Sequence, residues 1–289
     1  VRLPLDQGGL DSRDPLPYSF QMEPWQLRLY RHSLMKKDKV RLVSRLVGFT
    51  NRRIFDLGCS NGAVSHFLKQ QGGEWVHADL ELDNLLTART VLGKNLFQMG
   101  ESHLPIGNER IDLVMAMDIL EHLERDREMV EEIFRILRPG GEVVVSTPIS
   151  GRFFLINWLK RRAGMGPEIY GHVREGYSLK ELRWMLEAAG FTVTRATTYA
   201  KFFTELFEFL LNVAFTRLNH VKRSRLRSGA ISPSSATDLD NHGRLYRLYT
   251  GWIYPLVRMI TRLDALLPFK TGYATLVIAR KPGPDPGKA

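Results

Sequence analysis

The chain has 289 residues, 44% of them hydrophobic and 25% charged, a net charge of +10 and a single cysteine, Cys59. This excludes wholesale disorder, an intramolecular disulfide framework and a cysteine-only metal site, and the length suits one α/β domain with one sizeable elaboration. The positive excess points to an anionic partner: nucleic acid, a phosphorylated substrate or an acidic membrane surface.

Residues 1–17 lack the apolar run of a secretory leader, so no targeting segment is expected and the cytoplasm is the expected compartment. Residues 23–48 alternate apolar and basic side chains at helical spacing. They predict one or two helices capping a core through Leu42, Val43, Leu46 and Val47. From Arg53 the texture changes to short apolar runs, RIFDLG, WVHADL, LFQM, RIDLVMAM and GEVVVSTP, separated by helical stretches. Strands alternating with helices predict an α/β fold with a parallel sheet. A helix, SLKELRWMLEAAG, ends at Gly190, the strand FTVTRATTY follows, and YATLVIARK closes the chain as another strand. The organisation is then a loop and helical cap over 1–50, a core over 51–199, an insertion over 200–271, and a closing strand and tail over 272–289. The insertion is far longer than a hairpin loop.

The segment RIFDLGCSNGAV reads as a buried strand, a carboxylate at its carboxyl end (Asp56), a glycine loop and a helix starting near Ala63. Gly58 and Gly62 let backbone approach a ligand, and the helix start aims free N–H groups at an anionic part. About 20 residues on, Asp79 ends the next strand, where a carboxylate accepts from both hydroxyls of a ribose or, alternatively, caps a helix. In LFQMGESHLP, Met99 can lie against a purine and Glu101 can accept from its exocyclic amine. The loop Gly58-Cys59-Ser60-Asn61-Gly62 is neither G-x-G-x-x-G nor G-x-x-x-x-G-K-[ST], which disfavours a nicotinamide cofactor and a nucleoside triphosphate.

The order FDLGCSNG, HADL, MGESHLP, RIDLVMAMDILEHL, ILRPGGEVVVSTP and GHVREGYSLKELRWMLEAAGF resembles class I S-adenosylmethionine-dependent methyltransferases. The nearest likeness is to the small-molecule group that contains the ubiquinone-type O-methyltransferases. It covers residues 53–200 and the last strand. It implies a Rossmann-like, seven-stranded, mostly parallel sheet with an antiparallel last strand, with S-adenosylmethionine as methyl donor and S-adenosylhomocysteine as product. It also implies Asp56, Gly58, Cys59 and Gly62 around the methionine part of the cofactor and Asp79 with Leu80 at the ribose. Met99, Gly100 and Glu101 would meet the adenine and Asp118 the methionine end. Glu101 stands where that group more often has aspartate.

A sulfonium methyl is already electrophilic, so alignment and exclusion of water carry most of the transfer, and a hydroxyl acceptor adds the need for a base. His122, in DILEHL, and His172, in YGHVREGY, are the candidates, each with a packing role as its alternative. Adjacent Glu121 and His122 show no third ligand, and no metal is expected. The Asn-Pro-Pro-Tyr motif of amino-methylating enzymes is missing, with Ser146-Thr147-Pro148 near that point, so nucleic acid is not the expected acceptor.

Within residues 201–270 eleven basic side chains face five acidic ones. The first part, FFTELFEFLLNVAFTRL, is an apolar cylinder with a polar stripe at 205, 208, 212 and 216, too short and too charged to span a bilayer. The second, RLYRLYTGWIYPLVRMITRLDALLPF, sets Arg244, Arg247, Arg258 and Arg262 opposite Trp252, Ile253, Leu256, Met259, Ile260 and Leu263, with a kink expected at Pro255. A polar loop, SGAISPSSATDLDNHG, joins them. The pair fits attachment to an acidic membrane surface, or else a lid on the sheet or a dimer interface. The expected activity is methyl transfer to an oxygen, less readily a carbon, of a hydrophobic, prenylated or lipid-linked acceptor at a membrane. The alternatives are a soluble natural-product or sugar methyltransferase with a helical lid, and a non-catalytic cofactor-binding adaptor.

Overall fold

The computed structural model describes residues 23–150, 155–166, 171–218, 247–267 and 271–283. It opens on α1 (Trp25–Arg31) and α2 (Leu34–Leu46), the latter started by Ser33, whose hydroxyl accepts the Lys36 N–H. The core follows as β1 (Arg53–Leu57), α3 (Ala63–Lys69), β2 (Glu74–Asp79), α4 (Leu82–Leu92), β3 (Leu96–Gln98), β4 (Ile111–Met117), α5 (Asp126–Ile136) and β5 (Leu137–Pro148). Then come α6 (Leu155–Arg162), α7 (Leu179–Ala188), β6 (Thr192–Tyr199), α8 (Phe202–Leu218), α9 (Tyr254–Ile260) and β7 (Ala274–Arg280). The helix α6 has no counterpart in the sequence reading.

All seven strands form one sheet, ordered β3-β2-β1-β4-β5-β7-β6. Strands β1 to β5 pair in parallel, and β7 runs antiparallel between β5 and β6, as the resemblance implies. The central strand β4 is buried along its whole length because helices cover both faces. Its alternate residues divide two cores: Val114 and Ala116 pack with Phe55, Val145 and Ile133, while Leu113 and Met115 pack with Ile54, Val144 and Val43. Val43 and Val47 of the cap are buried, Leu42 and Leu46 half-buried.

Strand order reverses between β1 and β4, so a crevice opens beyond their carboxyl ends, the place where open α/β sheets take ligands. Because β5 and β6 both run opposite to β7, β6 also ends on that edge. The insertion therefore leaves the sheet beside the crevice. Asp264 ties its two parts together by accepting the Phe203 and Thr204 N–H groups at 2.8 and 3.1 Å, which caps the start of α8.

The structure adds two details to the insertion. The polar stripe of α8 turns inward: Glu205, Glu208 and Asn212 line cavities at the sheet edge, while Phe209, Leu206 and Val213 pack on Ile156 and Met165 of the α6 region. The first part of the insertion thus packs over the sheet edge. At Pro255 the helix changes type: a π-helical turn over Tyr249–Ile253 precedes α9, whose first turn accommodates the missing N–H. Arg244 and the joining loop lie outside the described residues, as do residues 1–22. Among the described residues no helix is long and apolar enough to cross a membrane.

Candidate functional site

The glycine loop folds back on the end of β2. The N–H groups of Gly58 and Cys59 both reach the Ala78 carbonyl, at 2.9 and 3.0 Å, and the Ser60 N–H donates to Asp79 Oδ2 at 2.7 Å. Gly58 sits at φ +81°, and a Cβ there would come within 2.8 Å of the Ile119 side chain, so only glycine lets the loop lie this close. Asp56 is held by buried His77, whose Nδ1–H donates to Oδ2 at 2.8 Å.

A cavity of about 570 Å³ lies over this loop. Its wall includes Asp56, Gly58, Cys59, Asp79, Leu80 and Glu101, along with Asp118 and His122. Gly62 stands behind the wall as the left-handed residue before α3, and Gly100 is exposed away from it. Met99 is buried in the core against which Phe55 and Leu57 pack, and its N–H donates to the Asp79 carbonyl at 3.0 Å, so it braces the wall from behind instead of lining it. Burial, with Asp56 and Asp79 close by, pushes the Cys59 thiol up, which keeps it protonated.

Asp118 is the pivot. It follows β4 in a left-handed conformation, φ +54°, a strained state for a non-glycine residue. Its carboxylate pairs with Lys39 of α2 and accepts from Ser146 Oγ at 3.1 Å, and that oxygen lies 2.7 Å from the Tyr199 hydroxyl at the end of β6. The Lys39 side chain is only 6% exposed. Burial works to lower its pKa, but Asp118, Tyr199 and Glu121 together outweigh it and the ammonium is held charged. Sequence reasoning missed Lys39; the available signal was a lysine one helical turn before Val43 on the inward face of α2.

A second cavity, about 250 Å³, adjoins the first at Asp118, Met35 and Glu208. Glu121, His172 and the α8 carboxylates line it. His122 donates from Nδ1 to the Gly171 carbonyl at 3.0 Å, and its ring meets the His172 ring edge-on at 4.6 Å. Burial, then His122 nearby, lowers the His172 pKa to about 4, so its imidazole is neutral near pH 7. The connection that carries His172 is pinned by Arg174, which pairs with Asp126 and donates to the Leu123 carbonyl at 2.8 Å. Gly176 presses against Pro148, whose carbonyl oxygen would lie 2.0 Å from any Cβ. Ligand atoms of Glu121, His122 and His172 lie within 4.8 Å of one another, so His172 supplies the third neighbour that the sequence did not reveal for Glu121 and His122.

The first cavity suits a nucleoside bearing an amino-acid tail. Asp79 uses Oδ1 for the Glu81 N–H and the Asn84 amide, at 3.0 and 2.9 Å, and keeps accepting capacity on Oδ2. Asp56 and Asp118 offer carboxylates at the other end for an ammonium. A seven-stranded sheet ordered β3-β2-β1-β4-β5-β7-β6 with β7 antiparallel, carrying a glycine loop at its switch point and an acidic residue ending β2, has the class I S-adenosylmethionine-dependent methyltransferase architecture. The family described as "Methyltransferase domain" matches residues 28–196, and the chain belongs to it; S-adenosylmethionine is the methyl donor of this domain. That match takes in Lys39 and stops before the insertion.

Among curated proteins the chain is similar to the ubiquinone biosynthesis O-methyltransferase of Hydrogenovibrio crunogenus, 28% identical over 116 residues, covering 38% of this chain and 48% of that protein. It is also similar to the malonyl-acyl-carrier-protein O-methyltransferase of Enterobacter lignolyticus, 26% identical over 117 residues, covering 40% of this chain and 47% of that one. The chain spans about half the length of the curated relatives it matches. An S-adenosylmethionine-dependent methyltransferase from Thermotoga maritima shares the fold at a TM-score of 0.53 and 14% identity, covering 89% of this chain and 93% of its own. The cyclase SpnF does so at 0.56 and 17%, covering 86% of this chain and 81% of its own. Likeness at that level concerns architecture alone.

Proposed function

We propose that the protein transfers the methyl group of S-adenosylmethionine to a hydroxyl oxygen of a lipid-linked acceptor at an acidic membrane surface. The observation that carries the transfer reading is the shared wall at Asp118, which sets a second cavity beside the one suited to the cofactor. The cofactor supplies an electrophilic sulfonium methyl. Asp118, fixed by Lys39 and Ser146, orients groups where the cavities meet, and α8 covers that junction and excludes water. Neutral His172 accepts the hydroxyl proton as the oxygen attacks. Two of the relatives are named as O-methyltransferases, which supports oxygen over carbon.

The membrane reading rests on the second part of the insertion. Leu248, Trp252, Leu256, Met259, Leu263 and Leu266 recur every three or four residues and are all exposed, Trp252 and Leu266 at 79%. The opposite side docks on the cap: Tyr254 and Val257 pack on Leu34, and the Tyr249 hydroxyl donates to the His32 carbonyl at 2.8 Å. Arg258 and Arg262 are exposed beside the apolar row. An apolar row that far into water with cations along it suits insertion at a headgroup boundary. Flotation with phosphatidylglycerol-containing vesicles tests this. Wild-type protein should float at low salt and Trp252→Glu with Leu256→Glu should not; wild-type protein that stays unbound removes the membrane reading.

A further inference from the structure

We infer that the smaller cavity receives a polyhydroxylated, sugar-like ring as the head of the acceptor, with Glu121 and Glu205 hydrogen-bonded to its hydroxyls. The inference rests on the methyltransferase reading above and adds the substrate class.

Glu121 is fully buried, lines this cavity and has neither side-chain oxygen hydrogen-bonded among the described residues; Oε2 of Glu205, also buried and lining it, is in the same state. A buried polar atom without a partner costs about 1–3 kcal/mol, and native proteins carry few of them. Here three such oxygens belong to side chains lining one small space. A ligand that brings several donors satisfies them together, which a flat phenol or quinol with one or two hydroxyls cannot do.

Most of the carboxylates around this space already have a cation: Lys39 pairs with Asp118, Lys160 with Glu205, and Arg161 with Glu175 at 2.9 Å, while Glu208 accepts the Met35 N–H at 3.4 Å. Burial, and then Asp118 close by, raise the Glu121 pKa well above the ordinary value. A hydroxyl, itself donor and acceptor, matches these oxygens and the cationic groups of Lys160 and Arg161 that line the same space. The cavity of about 250 Å³ leaves space for one ring, and the lipid chain stays outside. Met35, Ile149 and Tyr273 supply apolar wall for the C–H faces of such a ring. One ring hydroxyl then lies where His172 and Asp118 meet: its oxygen forms the new bond to the methyl carbon as the sulfur–methyl bond breaks. Its proton passes to His172, leaving a methyl ether and S-adenosylhomocysteine.

Calorimetry on the full chain saturated with S-adenosylhomocysteine tests this, using octyl glucoside, octyl galactoside and octyl mannoside below their micelle concentrations, beside 4-octylphenol. EDTA is present throughout, so a cation bridging Glu121, His122 and His172 carries none of the binding. At least one glycoside should bind, and Glu121→Met should weaken it roughly tenfold or more while the thermal midpoint holds or rises, since an orphan carboxyl is removed. Glu205→Gln serves as the second variant, with a loss of the same sign. Binding of octylphenol alone, or glycoside binding unchanged in both variants, overturns the sugar inference and leaves the methyltransferase reading standing. Failure of S-adenosylhomocysteine to bind removes both.

Discussion

Lys39 and Asp118 share one ion pair but not one environment: their side chains are 6% and 40% exposed. Removing either partner therefore has unequal consequences. Asp118→Asn strands a buried ammonium and should cost about 3–5 kcal/mol, whereas Lys39→Met leaves a carboxylate that water can reach and should cost less than half as much. Urea denaturation of the two variants decides, and equal losses would contradict the asymmetry. At His172 the depressed pKa sets the sign of a second prediction. A base whose conjugate acid has a pKa of about 4 stays competent as pH falls, so the rate should hold level down to about pH 5 and drop only through about pH 4. His172→Asn should lower kcat by roughly 10²–10⁴-fold with cofactor affinity unchanged; a variant retaining full turnover assigns His172 to packing. The glycine loop and Asp79 were legible in the sequence because strand ends and turns use local signals, whereas Asp118 came only from the resemblance. Lys39 was not, since its partner lies 79 positions away and nothing local marks the pairing.

At the scale of elements, the loop leading from β3 to β4 hangs on α5. Glu132 accepts the Leu104 N–H at 2.9 Å, and Arg135 ties Glu132 to the carbonyls of Leu104 and Ile106. Hydrogen bonds from Arg135 hold the Glu132 pKa down to about 2, against an ordinary 4.5. A depressed folded pKa means that this stabilisation is complete above pH 4.5 and is lost as pH falls through about 2. Glu132→Gln should destabilise by about 1.5–3 kcal/mol at pH 7 and by almost nothing near pH 2. Urea melts at the two pH values measure the difference, and a pH-independent gap would be contrary. Asp264→Ala, which uncaps α8, should cost about 1–2 kcal/mol and loosen the start of that helix. The same α8 marks where pattern reading stopped short. Its polar stripe at 205, 208 and 212 was visible, but periodicity gives the spacing of a face and not what that face meets, and here it meets a cavity. Helix α6 went unread because only eight residues, with Ile156 as the sole buried one, carry too little period to register.

For the whole molecule, the sheet sends the glycine loop, Asp118, the His172 connection and both ends of the insertion to one edge. The parallel β1-β4-β5 register dictates this, which is why fold class and cofactor region were readable together while the acceptor side was not: it is assembled from α2, α6, α8 and a connecting loop that the sheet only brings near one another. More than half the excess charge lies in the insertion, so vesicle attachment should weaken as salt rises and the Debye length shrinks below about 10 Å. The most direct test of the central claim is calorimetric titration of the folded chain with S-adenosylhomocysteine. One site should appear, with affinity reduced roughly tenfold or more in Asp79→Asn, checked as folded by circular dichroism. A folded chain that binds none, or binds equally well after that change, would contradict the account.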